Sequence, residues 1–164
     1  MEKKDKAAKP MVIASTLPGF PSVRVRGVLA GLPVAKGYRL EVKPLRYRTA
    51  PHLVGECDYE ARRITVQVPE PFRSFRHRIP YRAKRLKVHG ARGDPFKFRW
   101  FYRNVLFRTK TDVIRFLYCH EYYHYHLYEI LGRKGSAETA CDRFALTHFR
   151  RPRAGVGGLD EVAD

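Results

Sequence analysis

The sequence predicts an α+β fold: a small, twisted, mostly antiparallel sheet with an edge strand packed on a helix, followed by a C-terminal helix. Three observations predict it. Short stretches with apolar residues at every second position recur through the first half of the chain. Residues 109–132 then carry apolar side chains at helical spacing, between a capping signal and two glycines. A second helical stripe occupies 136–150. A chain of 164 residues is long enough for one domain with its own core. The expected organisation is a charged tail over 1–10 (MEKKDKAAKP), a single domain over 11–150 and a Gly- and Asp-rich tail over 151–164.

Taken in order, Val23 and Val25 alternate with Arg24 and Arg26 between Pro and Gly residues, which predicts a short strand. Tyr38, Leu40 and Val42 fall on one side of a half-buried strand. Ile64, Val66 and Val68 alternate in the same way, and Pro69 and Pro71 end the run, as expected of a strand near a sheet edge. The free backbone groups of such an edge can pair with an extended peptide.

From 71 to 110 the composition shifts. Thirteen residues are Lys or Arg, against one acid, Asp94, and this block holds most of the formal net charge of +17. Phe96, Phe98, Trp100 and Tyr102 stand at period two among Lys97, Arg99 and Arg103, which predicts a strand with one buried aromatic face and one solvated basic face. Arg73, Arg76, Arg78, Arg82, Lys84, Arg85 and Lys87 are the candidates for binding DNA or RNA, with single-stranded character suggested by the interleaved rings. Three cysteines without a C-x-x-C pair indicate neither a zinc ribbon nor a disulfide framework, and so reduced thiols. With no segment of membrane-span length and no signal-peptide core, the expected location is cytoplasmic or nucleoid-associated.

The segment 109–132 is the chemical centre. Thr109 is a suitable N-cap, with Asp112 three residues on, and Gly132 and Gly135 supply the stop. Val113, Leu117, His120, His124, Leu127 and Leu131 form the inward stripe. His120-Glu121-Tyr122-Tyr123-His124 is an H-E-x-x-H motif. Histidines four apart share a helix face, so both imidazoles can reach one Zn²⁺, and Glu121 lies beside them as general base. A catalytic zinc needs a third protein ligand. The downstream candidates are His126, Glu129, Glu138, Asp142 and His148, of which His126 and Glu129 share the first helix and cannot easily join the pair.

H-E-x-x-H followed by Glu138-x-x-x-Asp142 on a second helix resembles the glutamate-zincin metallopeptidases. That resemblance implies Glu138 as the third ligand and Asp142 as the hydrogen-bond partner of His120. The segment E-T-A-C-D-R-F-A, with Gly55 and the strand Ile64-Thr-Val-Gln-Val upstream, also resembles the ImmA/IrrE-like peptidases. The short interval from His124 to Glu138 is closer to the SprT-like peptidases, whose third ligand is normally a histidine. The implied fold is a minimal zincin.

Geometry leaves the third ligand open. Two straight helices in a tight hairpin would put Asp142 level with His124 and Glu138 about 7–10 Å nearer the turn. Glu138 binds only if the first helix ends early or the two cross steeply. Glu138 is the expected ligand, Asp142 the alternative and His148 a distant third. Tyr123, His126 and His148 are candidates to contact the oxyanion or the substrate.

The functional expectation is a zinc metalloendopeptidase acting on a protein or peptide, including proteins bound to nucleic acid. The alternative is a basic nucleic-acid-binding protein whose zincin-like metal site is silent or structural.

Overall fold

An apolar stretch gains by burying its face on a neighbour, and among the described residues two sheets and three α-helices share that work. The computed structural model describes residues 9–90, 92–93, 95–135 and 137–151. Most of both expected tails, and the expected N-cap Ser136, lie outside the described residues.

The main sheet contains β1 (Val12–Ser15), β2 (Arg39–Leu45), β3 (Val54–Asp58) and β4 (Arg63–Pro69), in the order β1-β2-β4-β3. β1 with β2 and β2 with β4 run parallel, while β3 is antiparallel to β4. A parallel pair needs a crossing connection, and α1 (Ser22–Val28) lies between β1 and β2. This corrects the strand expected at Val23–Arg26. Val25 and Val28 are buried, whereas Val23 is 82% exposed. The period is that of a helix, and two alternating valines were too short a run to show it.

The position of β4 is a second correction. It pairs with β2 from Arg39↔Arg63 to Leu45↔Pro69 and with β3 on its other side, so it is central. Pro69 closes the strand rather than marking an edge. β3 takes the edge position, against the site helix.

β5 (Phe75–Lys87) and β6 (Phe96–Phe107) form an antiparallel ribbon from Phe75↔Phe107 to Lys87↔Phe96, with an irregularity after Pro80. Counted with this ribbon, the pairing is mixed, with the longest ladder antiparallel. Its proximal end is core: Phe75, Ile79, Val105 and Phe107 are buried. Beyond the irregularity the ribbon projects as an arm. The expected buried aromatic face is not found there, since Phe98 is 63% exposed and Trp100 44%. Alternation at period two is intrinsic to any ribbon, and among the described residues no second layer covers it.

α2 (Lys110–Tyr125) starts as expected. Thr109 Oγ1 accepts from the Asp112 amide (3.2 Å), and Asp112 Oδ2 accepts from the Arg108 amide (3.1 Å). The helix then widens into a π-helical turn, His126–Ile130, and stops at Gly132, whose φ of +62° suits glycine. Val113, Leu117, His120, His124 and Leu127 are buried, but Leu131 is 48% exposed. The π turn takes more residues per revolution and so carries Leu131 off the stripe.

α3 (Glu138–His148) returns along α2 with Cys141, Ala145 and, at its end, Phe149 buried. Arg115 of α2 ties these parts together. Its buried guanidinium donates to Phe149 O (2.6 Å), Val28 O (2.6 Å), Ala30 O (3.2 Å) and Arg151 O (2.5 Å). The helix that carries the motif is therefore pinned to the C-terminal ends of α1 and α3. Among the described residues no helix is long and apolar enough to cross a membrane.

Candidate metal centre

The H-E-x-x-H turn sits where α2 crosses β3 and meets the start of α3. Burial of α2 against the sheet brings His120, Glu121 and His124 to at most 9% exposure. The two imidazole centroids are 5.1 Å apart.

α3 supplies the acids. Glu138, its first residue, places Oε2 3.0 Å from His120 Nε2 and Oε1 2.9 Å from His124 Nε2. Asp142, one turn on, places Oδ1 2.8 Å from His120 Nδ1. Glu138 thus faces the ring nitrogens that point into the site, and Asp142 holds His120 from behind. The α-helical run ends at Tyr125, before the π turn His126–Ile130, and in this arrangement Glu138 lies within 3.0 Å of both Nε2 atoms rather than far along the axis toward the turn.

These separations suit a shared cation. Ligand atoms about 2.0–2.1 Å from a tetrahedral zinc lie about 3.3 Å from one another. The carboxylate oxygens and Nε2 atoms are already near that spacing, with one histidine oriented through Nδ1 as metal-binding histidines usually are. A further donor is present: ring nitrogens of His120 and His124 and the Cys141 Sγ all lie within 4.8 Å of one another. Cys141 is buried, and burial together with the charges of Glu138, Glu121 and Asp142 holds its thiol well above the ordinary range.

The electrostatics divide the two histidines. Burial works to lower the His120 pKa, but the Asp142 hydrogen bond and the surrounding carboxylates outweigh it and raise it. Burial and the neighbouring His120 lower that of His124, favouring its neutral ring. Burial pushes Glu121 up to about 7, helped by Glu138 and opposed by His120. A carboxyl poised near neutrality can accept a proton and give it back, although a cation held by the histidines would draw its pKa down again.

Glu121 has room only because β3 carries a glycine opposite it. A Cβ at Gly55 would lie 2.8 Å from Glu121 Oε1 and 3.2 Å from its Cγ. The cleft in front has a volume of about 590 Å³; besides the motif it is bordered by Leu53, Cys57, Tyr59, His77 and Ile79. No protein-family model, curated protein or solved structure matches this chain. The site's chemistry is therefore read from its own atoms.

The structure brings together His120, Glu121, His124, Glu138 and Asp142. It does not bring Tyr123, His126 or His148 to the cleft. Tyr123 stacks on Phe144 (4.7 Å) and on His126 (5.7 Å). His148 packs on Phe144 and accepts from Arg151 Nη2 at 2.7 Å. Glu129 accepts a hydrogen bond from the Tyr38 hydroxyl at 2.8 Å.

Among the described residues, the polar side chains that line the cleft besides the motif and the α3 acids are Glu56, Cys57, Tyr59, which stacks on Tyr128 at 4.0 Å, and His77. His77 is half-buried, and burial lowers its pKa, which keeps the ring neutral at pH 7. Sequence reasoning passed over it because it sits inside the basic, aromatic block; its place at the buried end of the alternation was the available signal. Of the basic candidates, Arg73 is tied to the body by a bond to Thr49 O (2.8 Å). Arg76, Arg78, Arg82, Lys84, Arg85 and Lys87 are exposed along β5.

Proposed function

We propose that this protein is a metal-dependent peptidase, with Zn²⁺ as the expected ion and His120, His124 and Glu138 as its ligands. The observation that carries the reading is the Glu138 carboxylate reaching both Nε2 atoms while Asp142 occupies His120 Nδ1. Zinc bound at these atoms would act as a Lewis acid toward a peptide carbonyl and would acidify water.

The chain's own residues would supply the rest. Glu121 takes a proton from water and passes it to the departing amine, two transfers that suit a buried carboxyl. Asp142 accepts from His120 Nδ1–H and so fixes the tautomer that leaves Nε2 free as a ligand. The edge strand β3 offers unpaired backbone groups along the cleft, on which an extended substrate segment can lie as an added strand. His77 and Tyr59, which also line the cleft, are the proposed donors to a developing oxyanion. A folded protein cannot enter such a groove edge-on, so the expected substrate is an extended or locally unfolded segment.

Metal analysis with cleavage of an unfolded protein tests the reading. Glu121→Gln should keep its metal and lose cleavage by about a thousandfold or more. Glu138→Ala should lose the metal. Cleavage by Glu121→Gln at the wild-type rate would overturn the mechanism. Metal lost from Cys141→Ser but retained by Glu138→Ala would move the ligand set to the thiol.

A further inference from the structure

The arm formed by the distal parts of β5 and β6 takes no part in the cleft chemistry. Ten of residues 75–107 are Lys or Arg, against Asp94 alone. Among the described residues, no carboxylate forms an ion pair with a cation of the arm. Its two faces differ. The register puts Ala83, Arg85 and Lys87 opposite Trp100, Phe98 and Phe96, and Pro80 opposite Tyr102, so one face carries a row of four rings.

That row is built unevenly. At one end the Arg78 guanidinium lies 3.8 Å over the Tyr102 ring, and at the other Arg85 lies 3.5 Å over Phe96. Between them Phe98 and Trp100 have no described ring or cation over them and are both exposed. Side chains two residues apart on a strand are about 6.7 Å from each other. The result is two open aromatic plates with a guanidinium fixed at either end.

We infer that this face is a binding surface for single-stranded nucleic acid, with bases stacked on Trp100 and Phe98 and phosphates held by Arg78 and Arg85. Charge complementarity selects a polyanion. The open rings select one whose bases are free to unstack, because a duplex presents its phosphates while its base faces are already occupied. The proximal end of the same ribbon, at His77 and Ile79, borders the cleft. A strand on the arm is thus held beside the proposed peptidase site, but the inference does not depend on that chemistry.

Trp100 is the chain's sole tryptophan, so its emission reports on this face alone. Titrating the full-length protein with a short oligothymidylate should quench that emission saturably, with affinity falling steeply as salt rises. With a labelled oligonucleotide, Trp100→Ala should weaken binding by about tenfold or more, and Trp100→Phe should restore most of it. Arg78→Glu with Arg85→Glu should weaken binding further and flatten the salt dependence. Equal melting temperatures among the variants separate loss of binding from loss of fold.

A blunt duplex bound as tightly as the single strand, with no cost from Trp100→Ala, would overturn the inference in favour of phosphate contacts alone. Quenching by anionic phospholipid vesicles but not by oligonucleotide would overturn it in favour of a membrane surface. Undiminished binding by Glu121→Gln, or by a protein that cleaves nothing, supports it and leaves the peptidase reading to its own test.

Discussion

Glu121 and Gly55 show how one site joins a local motif to a distant neighbour. The histidines are one helical turn apart, so their convergence is legible in the spacing alone. Gly55 is not legible in that way, because its role is to be absent from the volume that Glu121 fills. Gly55→Ala would set a methyl 2.8 Å from the carboxylate oxygen, well inside contact distance, and either the strand or the acid must move. A displacement of this kind is expected to lower turnover by about a hundredfold. Metal content should stay at the wild-type level, since neither histidine is touched. Full activity in Gly55→Ala would show that Glu121 tolerates rotation away from its place. Cys141 was hidden for a different reason. The side of α3 that faces His120 and His124 is also its buried side, so a donor there has the same pattern as a packing residue.

At the scale of elements, α2 is the most fully legible part, since its cap and stop agree and the stripe holds as far as Leu127. What the sequence did not disclose is the π turn after Tyr125, which has no composition of its own and depends on how the chain must leave the sheet. The same limit explains α1 and the arm. Two alternating valines suit a helix or a strand until a partner chooses, and a row of alternate aromatics gives no sign of whether a second layer exists. Arg115 is the element-level tie that the hydrophobic pattern concealed, because a charged residue in the stripe resembles a break in it. Its guanidinium serves four carbonyls from two other parts of the chain. Arg115→Ala would leave the buried Val28 and Phe149 carbonyls without this donor, and the expected loss is about 3 kcal/mol of unfolding free energy, read from urea denaturation. Arg115→Lys should recover only part of that loss, since a single ammonium cannot span the same fork. An alanine variant as stable as the parent would remove the tie from the account.

At the scale of the molecule, the α+β class follows from the sequence because strand-period and helix-period stretches are cleanly separated along the chain. The strand order does not follow, since proline placement suggested an edge where the sheet has its centre. The candidate centre also joins two helices: His120, Glu121 and His124 belong to α2, and Glu138 and Asp142 to α3. A cation there binds the folded arrangement alone, so metal should stabilise the whole domain. At a free concentration near a hundred times its dissociation constant, the gain is about 2.7 kcal/mol. Thermal melts with added zinc and with chelator should differ accordingly, and Glu138→Ala should abolish the difference. Identical melts would mean that the two helices are not bridged by an ion.

The projecting ribbon has a further consequence, which belongs to motion rather than to binding. With so much of the positive charge gathered in one extended element, the protein carries a strong electrical asymmetry and not merely a high net charge. In an external field from a polyanion such a body turns before it touches. The arm then leads, and first encounters are far from random in orientation. Because salt shortens the reach of that torque, the fraction of productive collisions should itself fall with ionic strength, before any contact is lost.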